Sequence, residues 1–198
     1  MNLIHATTLS TLLALATVAA PNAARAEPLV YEIDPAHTYP SFEADHMGGL
    51  STWRGKFNRT AGKVTLDKAA GNGSIEVSVD IDSIDFGNDE MNAQAKKIDL
   101  FDATEFPNAT YVAKLEGFKD GVPSRAVGDL TLRGVTRPLV LAIKSFKCLP
   151  HPMLKREVCG ADAQASFQRD EFGITAGKDY GFGMQVTLRI QIEAVLAK

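Results

Sequence analysis

The sequence MQVTLRIQIEA, residues 184–194, alternates without interruption between apolar and polar side chains. Successive side chains of a β-strand point to opposite faces, so this pattern predicts a strand with one buried face and one solvent-facing face. Residues 74–82 repeat the pattern, with apolar side chains at every second position from Ile75 to Ile81. The same period in two distant segments indicates an all-β fold.

Further strands are predicted along most of the remaining sequence, at residues 29–33, 38–46, 52–59, 62–67, 109–118, 126–133, 139–146 and 161–168. One segment departs from this period, because Met91, Ala95 and Ile98 recur at helical spacing. Asn88 or Asp89 is a suitable N-cap for a helix there. We therefore expect an antiparallel arrangement of about eight strands with one helical insertion, at about residues 88–100.

Strands that each have a single apolar face can pack as a two-sheet sandwich or close into a barrel. The predicted strands alternate over nearly their full length, which favours a barrel. The interior of a barrel of about eight strands holds either its own side chains or one small ligand. Small residues occupy seven of the inward positions: Ala44, Ala109, Ala113, Gly128, Ala161, Ala163 and Ala165. Small inward residues can leave space for a ligand, but a barrel filled by its own side chains is equally compatible with the same pattern.

The composition is that of an ordinary globular protein, with 45% hydrophobic and 23% charged residues. The formal net charge of −3 excludes a basic surface for nucleic acid. An apolar run at residues 9–20 precedes Ala24-Arg25-Ala26, which is the arrangement of a secretory signal peptide cleaved after Ala26. An uncleaved membrane tether is the alternative. We therefore expect residues 1–26 to be a signal peptide and residues 27–198 to form one periplasmic domain, with no stable membrane insertion.

Two cysteines, Cys148 and Cys159, are separated by ten residues. In an exported protein this pair predicts a disulfide, which would stabilise the fold by about 3 kcal/mol. Together with His151 and Met153, however, the same cysteines offer soft ligands suited to copper. A copper-handling protein is therefore an alternative function.

Sequence signatures of catalysis are scarce. The chain contains no Gly-x-Ser-x-Gly elbow, no glycine-rich phosphate loop and no His-Glu-x-x-His motif. A lipid-acting enzyme with His37 or His46 as general base is a second alternative, although we expect no enzymatic activity. Residues an odd number of positions apart on one strand point to opposite faces. His37 and His46 are nine positions apart, so they are not expected to bind one metal ion.

Short motifs follow one another along the chain in a fixed order: IDPAH at 33–37, HM at 46–47, GKF at 55–57, DLFD at 99–102, FPNATY at 106–111, GDLTLRGVTRP at 128–138 and FGI at 172–174. Together they resemble the YceI-like polyisoprenoid-binding family, over about residues 31–195. The segment 128–138 is the most specific part of this resemblance. It implies a lipocalin-like antiparallel β-barrel that holds a long isoprenoid chain in an apolar pore, in a secreted or periplasmic protein.

The resemblance and the inward parity of the strands together give a set of candidate ligand-binding residues: Phe42, Phe57, Ile75, Val77, Val79, Ile81, Tyr111, Leu115, Leu130, Leu132, Leu141, Ile143, Phe167, Leu188 and Ile190. His37 and His46 are candidate polar residues of the rim. The expected ligand is a polyprenyl or quinone-like chain, or another long-chain amphiphilic lipid, held for transport, storage or sequestration. No cofactor and no metal are expected, and a monomer or a homodimer is compatible with these features.

Overall fold

A computed structural model of the protein describes residues 27–198. The predicted signal peptide, residues 1–26, lies outside the described residues. The described chain forms eleven strands and one α-helix: β1 (Leu29–Ile33), β2 (Tyr39–His46), β3 (Ser51–Phe57), β4 (Thr60–Asp67), β5 (Asn72–Asp80), β6 (Ile84–Asp85), α1 (Asp89–Ala95), β7 (Asn108–Glu116), β8 (Arg125–Leu132), β9 (Val135–Pro150), β10 (Glu157–Gln168) and β11 (Gln185–Leu196). Three short 3₁₀ turns, at Ile81–Ser83, Arg169–Phe172 and Lys178–Tyr180, complete the secondary structure of this part of the chain.

Eight of the strands close into an antiparallel barrel in the order β1-β4-β5-β7-β8-β9-β10-β11. Closure is made by β1, which pairs with β4 on one side and with β11 on the other. The predicted all-β, lipocalin-like barrel of about eight strands is thereby confirmed. The strand predicted at residues 184–194 is β11, and it begins at Gln185 and continues to Leu196.

The edge of β11 that faces away from β10 is shared by two strands. β1 pairs with its residues 194–196, and β2 pairs with its residues 186–191. β2 continues into β3, and β3 pairs with the two-residue strand β6. These three additional strands extend the wall at the end of the barrel where α1 lies, which explains why eleven strands form while only eight close the ring.

The helix is shorter than its sequence pattern predicted. Asn88 caps α1, because its side chain accepts a hydrogen bond from Met91 N at 3.0 Å. The helix ends at Ala95, and the backbone then continues in turns, with Phe101 N donating to Ala95 O at 3.0 Å. Ile98 was expected on the apolar face of the helix, but it is 75% exposed. The insertion is therefore one short helix followed by a hydrogen-bonded loop.

Two groups of buried side chains form the interior, one toward each end of the barrel. The first includes Tyr31 and Leu66, and the second includes Phe42 and Phe172. Leu130, Phe167 and Leu188 pack against both groups. The interior is therefore continuous along the barrel.

Candidate ligand-binding cavity

The barrel encloses a cavity of about 440 Å³. Apart from a few polar groups its wall is aliphatic and aromatic, which is typical of sites for small apolar ligands, and its volume lies within the range of such sites. All fifteen candidate residues line it: Phe42, Phe57, Ile75, Val77, Val79, Ile81, Tyr111, Leu115, Leu130, Leu132, Leu141, Ile143, Phe167, Leu188 and Ile190. The period-two pattern thus identified the inward side of each strand.

Several inward side chains of the middle strands are only partly buried. Val77, Leu130, Leu188 and Ile190 belong to this group, although they point into a closed barrel. Their remaining accessible surface faces the interior, because the outward positions of the same strands carry the solvent-facing side chains. A barrel filled by its own side chains would bury these residues completely. The structure therefore favours an open cavity over a filled core.

The small inward residues do not all contribute space. Four of them line the cavity, namely Ala44, Ala109, Ala161 and Ala163, whereas Ala113, Ala165 and Gly128 are absent from the lining. A Cβ atom at Gly128 would lie only 2.0 Å from Val112 O and 2.4 Å from Ala113 Cα. Gly128 therefore allows β7 and β8 to approach closely, and the expectation that it leaves room for a ligand was wrong.

The cavity opens at the end of the barrel that carries α1. Its only exposed lining residues within 27–198 are Trp53 on β3 and Gln94 and Asp99 near α1. Phe86 and Phe182, from two loops, complete this mouth. Trp53 has the same parity as Phe57 and could have been identified from the strand pattern, whereas loop residues such as Phe86 and Phe182 give no periodic signal.

The opposite end is closed around a fully buried tyrosine. The Tyr31 hydroxyl donates to the carboxylate of Glu157, which also accepts from Lys68 Nζ at 2.7 Å. Burial and the nearby carboxylate raise the pKa of Tyr31. Burial alone would raise the pKa of Glu157, but the hydrogen bonds from Lys68 and Tyr31 outweigh it and lower that pKa. Tyr31 is the member of this cluster that lines the cavity, and it forms the floor.

Tyr111, one of the candidate ligand-binding residues, has its hydroxyl occupied within the protein. The hydroxyl lies 3.0 Å from Ala126 O and 3.0 Å from Leu139 O. Burial raises its pKa to about 12, so the group stays neutral. Tyr111 therefore presents its ring to the cavity and has no free donor for a ligand.

His46 and His37 lie at different ends of β2. The His46 ring stacks on Trp53 with centroids 4.2 Å apart and meets the edge of Phe182 at 5.2 Å, which places it at the mouth. His37 precedes β2 and bonds Asp34 at 2.8 Å, on the exposed turn whose Asp34 N donates to Glu193 O. His37 is not among the lining residues, so the interpretation of His37 as a rim residue is not supported. The turn 34–38 lies beside the C-terminal half of β11, near Glu193, and therefore away from Trp53.

Arg169 is a buried cation in the cavity wall, with 9% of its surface exposed. Its guanidinium donates to Ile174 O at 3.1 Å and to Ala176 O at 2.7 Å. Burial lowers its pKa, while the charges of Asp170 and Asp45 act in the opposite direction. These bonds hold the loop after β10 against the mouth.

Asp45 links the β2–β3 hairpin to the loop before β11. Its carboxylate accepts from the backbone amides of Gly48, Gly49 and Gly183, at 3.0, 2.6 and 2.7 Å. The bond from Gly183 and those from the hairpin lower the pKa of Asp45. One side chain thus holds together two of the segments that surround the mouth.

We predict that Asp45→Ala loosens the mouth without unfolding the barrel. Amide hydrogen exchange of Gly48, Gly49 and Gly183 should accelerate, whereas Asp162→Ala on the outer wall should leave these three amides unchanged. Because the folded-state pKa is lowered, the contribution of the wild-type carboxylate is complete above the ordinary aspartate pKa of about 3.9 and is lost as the pH falls through the folded-state value. Unchanged exchange in Asp45→Ala would contradict the assignment.

Cys148 and Cys159 form a disulfide, directly opposite each other across β9 and β10. The predicted pairing is confirmed. Within residues 27–198, the one group of side chains with metal-binding spacing combines these two cysteines with Glu157. Its two sulfur atoms are bonded to each other, and the Met153 side chain is exposed while His151 Nδ1 accepts from two backbone amides. In the oxidised protein the copper alternative lacks both of its thiolates.

Among the described residues, no helix has the length and apolar character needed to cross a membrane.

Comparison with known proteins identifies the same family that the motifs resemble. The model of the YceI-like domain matches residues 31–194. A UPF0312 protein of Pectobacterium carotovorum is 29% identical over 193 residues, which cover 96% of this chain and 98% of that protein. A UPF0312 protein of Enterobacter is 30% identical over 172 residues, which cover 85% of this chain and 87% of that protein.

Two solved structures are similar in fold. Burkholderia cenocepacia BcnA has a TM-score of 0.64 at 22% identity, and the match covers 82% of this chain and 99% of BcnA. A polyisoprenoid binding domain from Saccharophagus degradans has a TM-score of 0.61 at 15% identity, covering 85% of this chain and 99% of that domain. With a family match over residues 31–194 and a closed eight-stranded barrel, the chain belongs to the YceI-like family.

Proposed function

We propose that this protein binds an amphiphilic isoprenoid lipid, a polyprenyl or quinone-like chain, inside the barrel and holds it for transport, storage or sequestration. The observation that carries the proposal is the open apolar cavity, with a polar floor at Tyr31 and a mouth at Trp53. Membership of the YceI-like family and the similarity to a polyisoprenoid binding domain support it.

The dimensions of the barrel suit an extended chain. β10 and β11 contain 12 residues each. At about 3.3 Å per residue such a strand is about 40 Å long, and a strand tilt of about 40° reduces this to about 30 Å along the barrel axis. A linear apolar chain can therefore lie along the axis, with its head group near the mouth.

Recognition inside the cavity would depend on shape more than on hydrogen bonds. Thr38 Oγ1 bonds the backbone of Glu193, and the Tyr111 hydroxyl bonds two carbonyls. Thr60 Oγ1 differs, because this buried hydroxyl of the wall has no hydrogen-bond partner in residues 27–198. Burial of each methylene contributes about 0.8 kcal/mol, and the cost of ordering the chain offsets part of that gain. We expect affinity to increase with chain length and to depend little on the head group.

We infer a binding role rather than a catalytic one. The lining of the cavity contains no histidine and no serine within the described residues. Of its two acidic residues, Asp45 is held by backbone amides and Asp99 lies exposed at the mouth, where it accepts from Gln94 Nε2 at 3.2 Å. Such a wall offers no nucleophile paired with a base. A periplasmic location is part of the proposal, and the disulfide supports it because disulfides persist in oxidising compartments.

The direct test is native mass spectrometry of the purified protein, followed by organic extraction and identification of the released lipid. The delipidated protein is then offered polyprenyl chains of several lengths. The proposal expects a bound isoprenoid or stoichiometric uptake of one. A barrel that contains no lipid and takes up none would overturn it.

Blocking the cavity is expected to weaken ligand binding. In Ala161→Phe a ring would occupy the cavity at a half-buried position of β10. Displacing two methylenes of the ligand should reduce affinity about tenfold or more. Gln164→Phe, on the outward face of the same strand, is the matched control and should bind normally. Equal affinities of the two variants for a polyprenyl chain would place the ligand elsewhere.

A further inference from the structure

The mouth of the cavity is surrounded by exposed apolar side chains. Leu50 is 73% exposed and Met47 lies near it, both at the tip of the β2–β3 hairpin. Tyr180 is 83% exposed on the loop before β11, and Ile98 is exposed after α1. Together with Trp53 these residues are called the apolar rim.

The segments that carry the apolar rim are held together in the folded protein. Asp45 joins the hairpin to Gly183, and a Cβ atom at Gly48 would lie 3.2 Å from Gly181 O, so the hairpin tip contacts the loop that carries Tyr180. Arg133 donates to Ile98 O at 2.9 Å and to Gly173 O at 2.7 Å, which connects the third segment to the same loop. The three segments of the apolar rim are therefore fixed relative to one another and form one continuous surface.

Two segments of the apolar rim contain no acidic residue and no lysine or arginine. Residues 46–53, HMGGLSTW, contain no Asp, Glu, Lys or Arg, and neither do residues 180–188, YGFGMQVTL. Transfer of these two segments out of water would therefore bury no carboxylate, ammonium or guanidinium group, and burial of such charges is the main cost of placing a protein surface in an apolar phase. The third segment of the apolar rim differs, since Ile98 lies between Lys97 and Asp99, just as Met153 and Leu154 are followed directly by Lys155 and Arg156.

We propose that the apolar rim docks on the surface of a lipid bilayer, so that the mouth faces the membrane. Tryptophan and tyrosine favour the interface between water and lipid, where one part of the side chain is apolar and the other is hydrated. The apolar surface continues from the rim into the cavity wall through Trp53 and Phe182. A lipid chain could then pass between bilayer and barrel without crossing water. The biological meaning of docking rests on the proposed lipid binding, but docking itself requires no ligand.

The test uses the delipidated protein and neutral phosphatidylcholine vesicles. The protein should float with the vesicles, and high salt should not release it, because the contact is apolar. Trp53 is the only tryptophan of the chain, so its emission should shift to shorter wavelength on docking. In Leu50→Asp, vesicle binding should weaken about tenfold or more, because the docked protein no longer buries a leucine in the bilayer. Met153→Asp, at the opposite end of the barrel and 81% exposed, is the matched control and should bind as the wild type does.

Three outcomes separate the possibilities. Failure of the wild-type protein to bind vesicles, or equal binding by Leu50→Asp, would overturn the docking proposal. Self-association that depends on Leu50, in sedimentation experiments without vesicles, would overturn it as well and assign the apolar rim to a protein interface. Vesicle binding by Ala161→Phe at the wild-type level supports docking even if no isoprenoid enters the cavity, so the two proposals fail independently.

Discussion

Replacement of Gly128 by alanine is expected to lower the free energy of unfolding by about 3 kcal/mol. The added methyl group would meet the backbone of β7, at Val112 O and Ala113 Cα, and backbone atoms cannot move aside as a side chain can. Since β7 and β8 are neighbours in the closed ring, their separation would also disturb the pairing on either side. Chemical denaturation measures the change, and thermal denaturation should show a midpoint lower by roughly 6–12 °C.

Gly160→Ala is the matched control for this prediction. Gly160 also lies within a strand, but a Cβ atom there would have its nearest neighbour at an ordinary 3.6 Å. We expect this substitution to be neutral or slightly stabilising, since alanine restricts the unfolded chain. Equal losses of stability in the two variants would show that close approach of β7 and β8 is not the cause.

Removal of the disulfide by the double substitution Cys148→Ser and Cys159→Ser is expected to cost about 3 kcal/mol. The bond limits the freedom of the unfolded chain between β9 and β10, where the connecting loop contains exposed side chains such as Met153. The free energy of unfolding, measured by denaturation with and without a reducing agent, should fall in the wild type only. Met153→Ser alters the same loop but leaves the disulfide in place, so it should have little effect on the free energy of unfolding.

The wild-type protein with its disulfide reduced, after exposure to copper, tests the copper alternative. We expect it to retain no stoichiometric copper after dialysis, as measured by metal analysis. Retention that disappears in a His151→Ala variant would instead support a metal site formed by the free thiolates.

The strand pattern predicted the wall of the cavity because the alternation of side chains between the two faces of a strand depends only on the local backbone. In residues 184–194, Leu188 and Ile190 alternate with polar neighbours, and both face the interior. The burial of a residue such as Ile98 depends on where the helix ends. The spacing of Met91, Ala95 and Ile98 predicts a helix but not its last residue. α1 stops at Ala95, where Phe101 N bonds the carbonyl that a longer helix would have used.

Other features depend on contacts between distant segments. A small residue on an inward face can leave space, as Ala161 does, or permit close approach of two backbones, as Gly128 does. The sequence contains the same signal in both cases. Loop residues of the mouth such as Phe86 have no period at all, so they become recognisable only when the barrel brings them beside Trp53.

The position of β11 in the ring determines when the barrel can form during folding. β1 pairs with β11 at Tyr31 and Leu196, at opposite ends of the described chain, and β2 also needs β11 as its neighbour. No earlier strand can replace it, so the ring stays open until the last strand has been synthesised. Closing such a long loop before its contacts form is entropically costly, and barrels dominated by distant pairings fold in milliseconds to seconds. We therefore expect a cooperative, late folding step in which β11 pairs with β1, β2 and β10 and closes the ring.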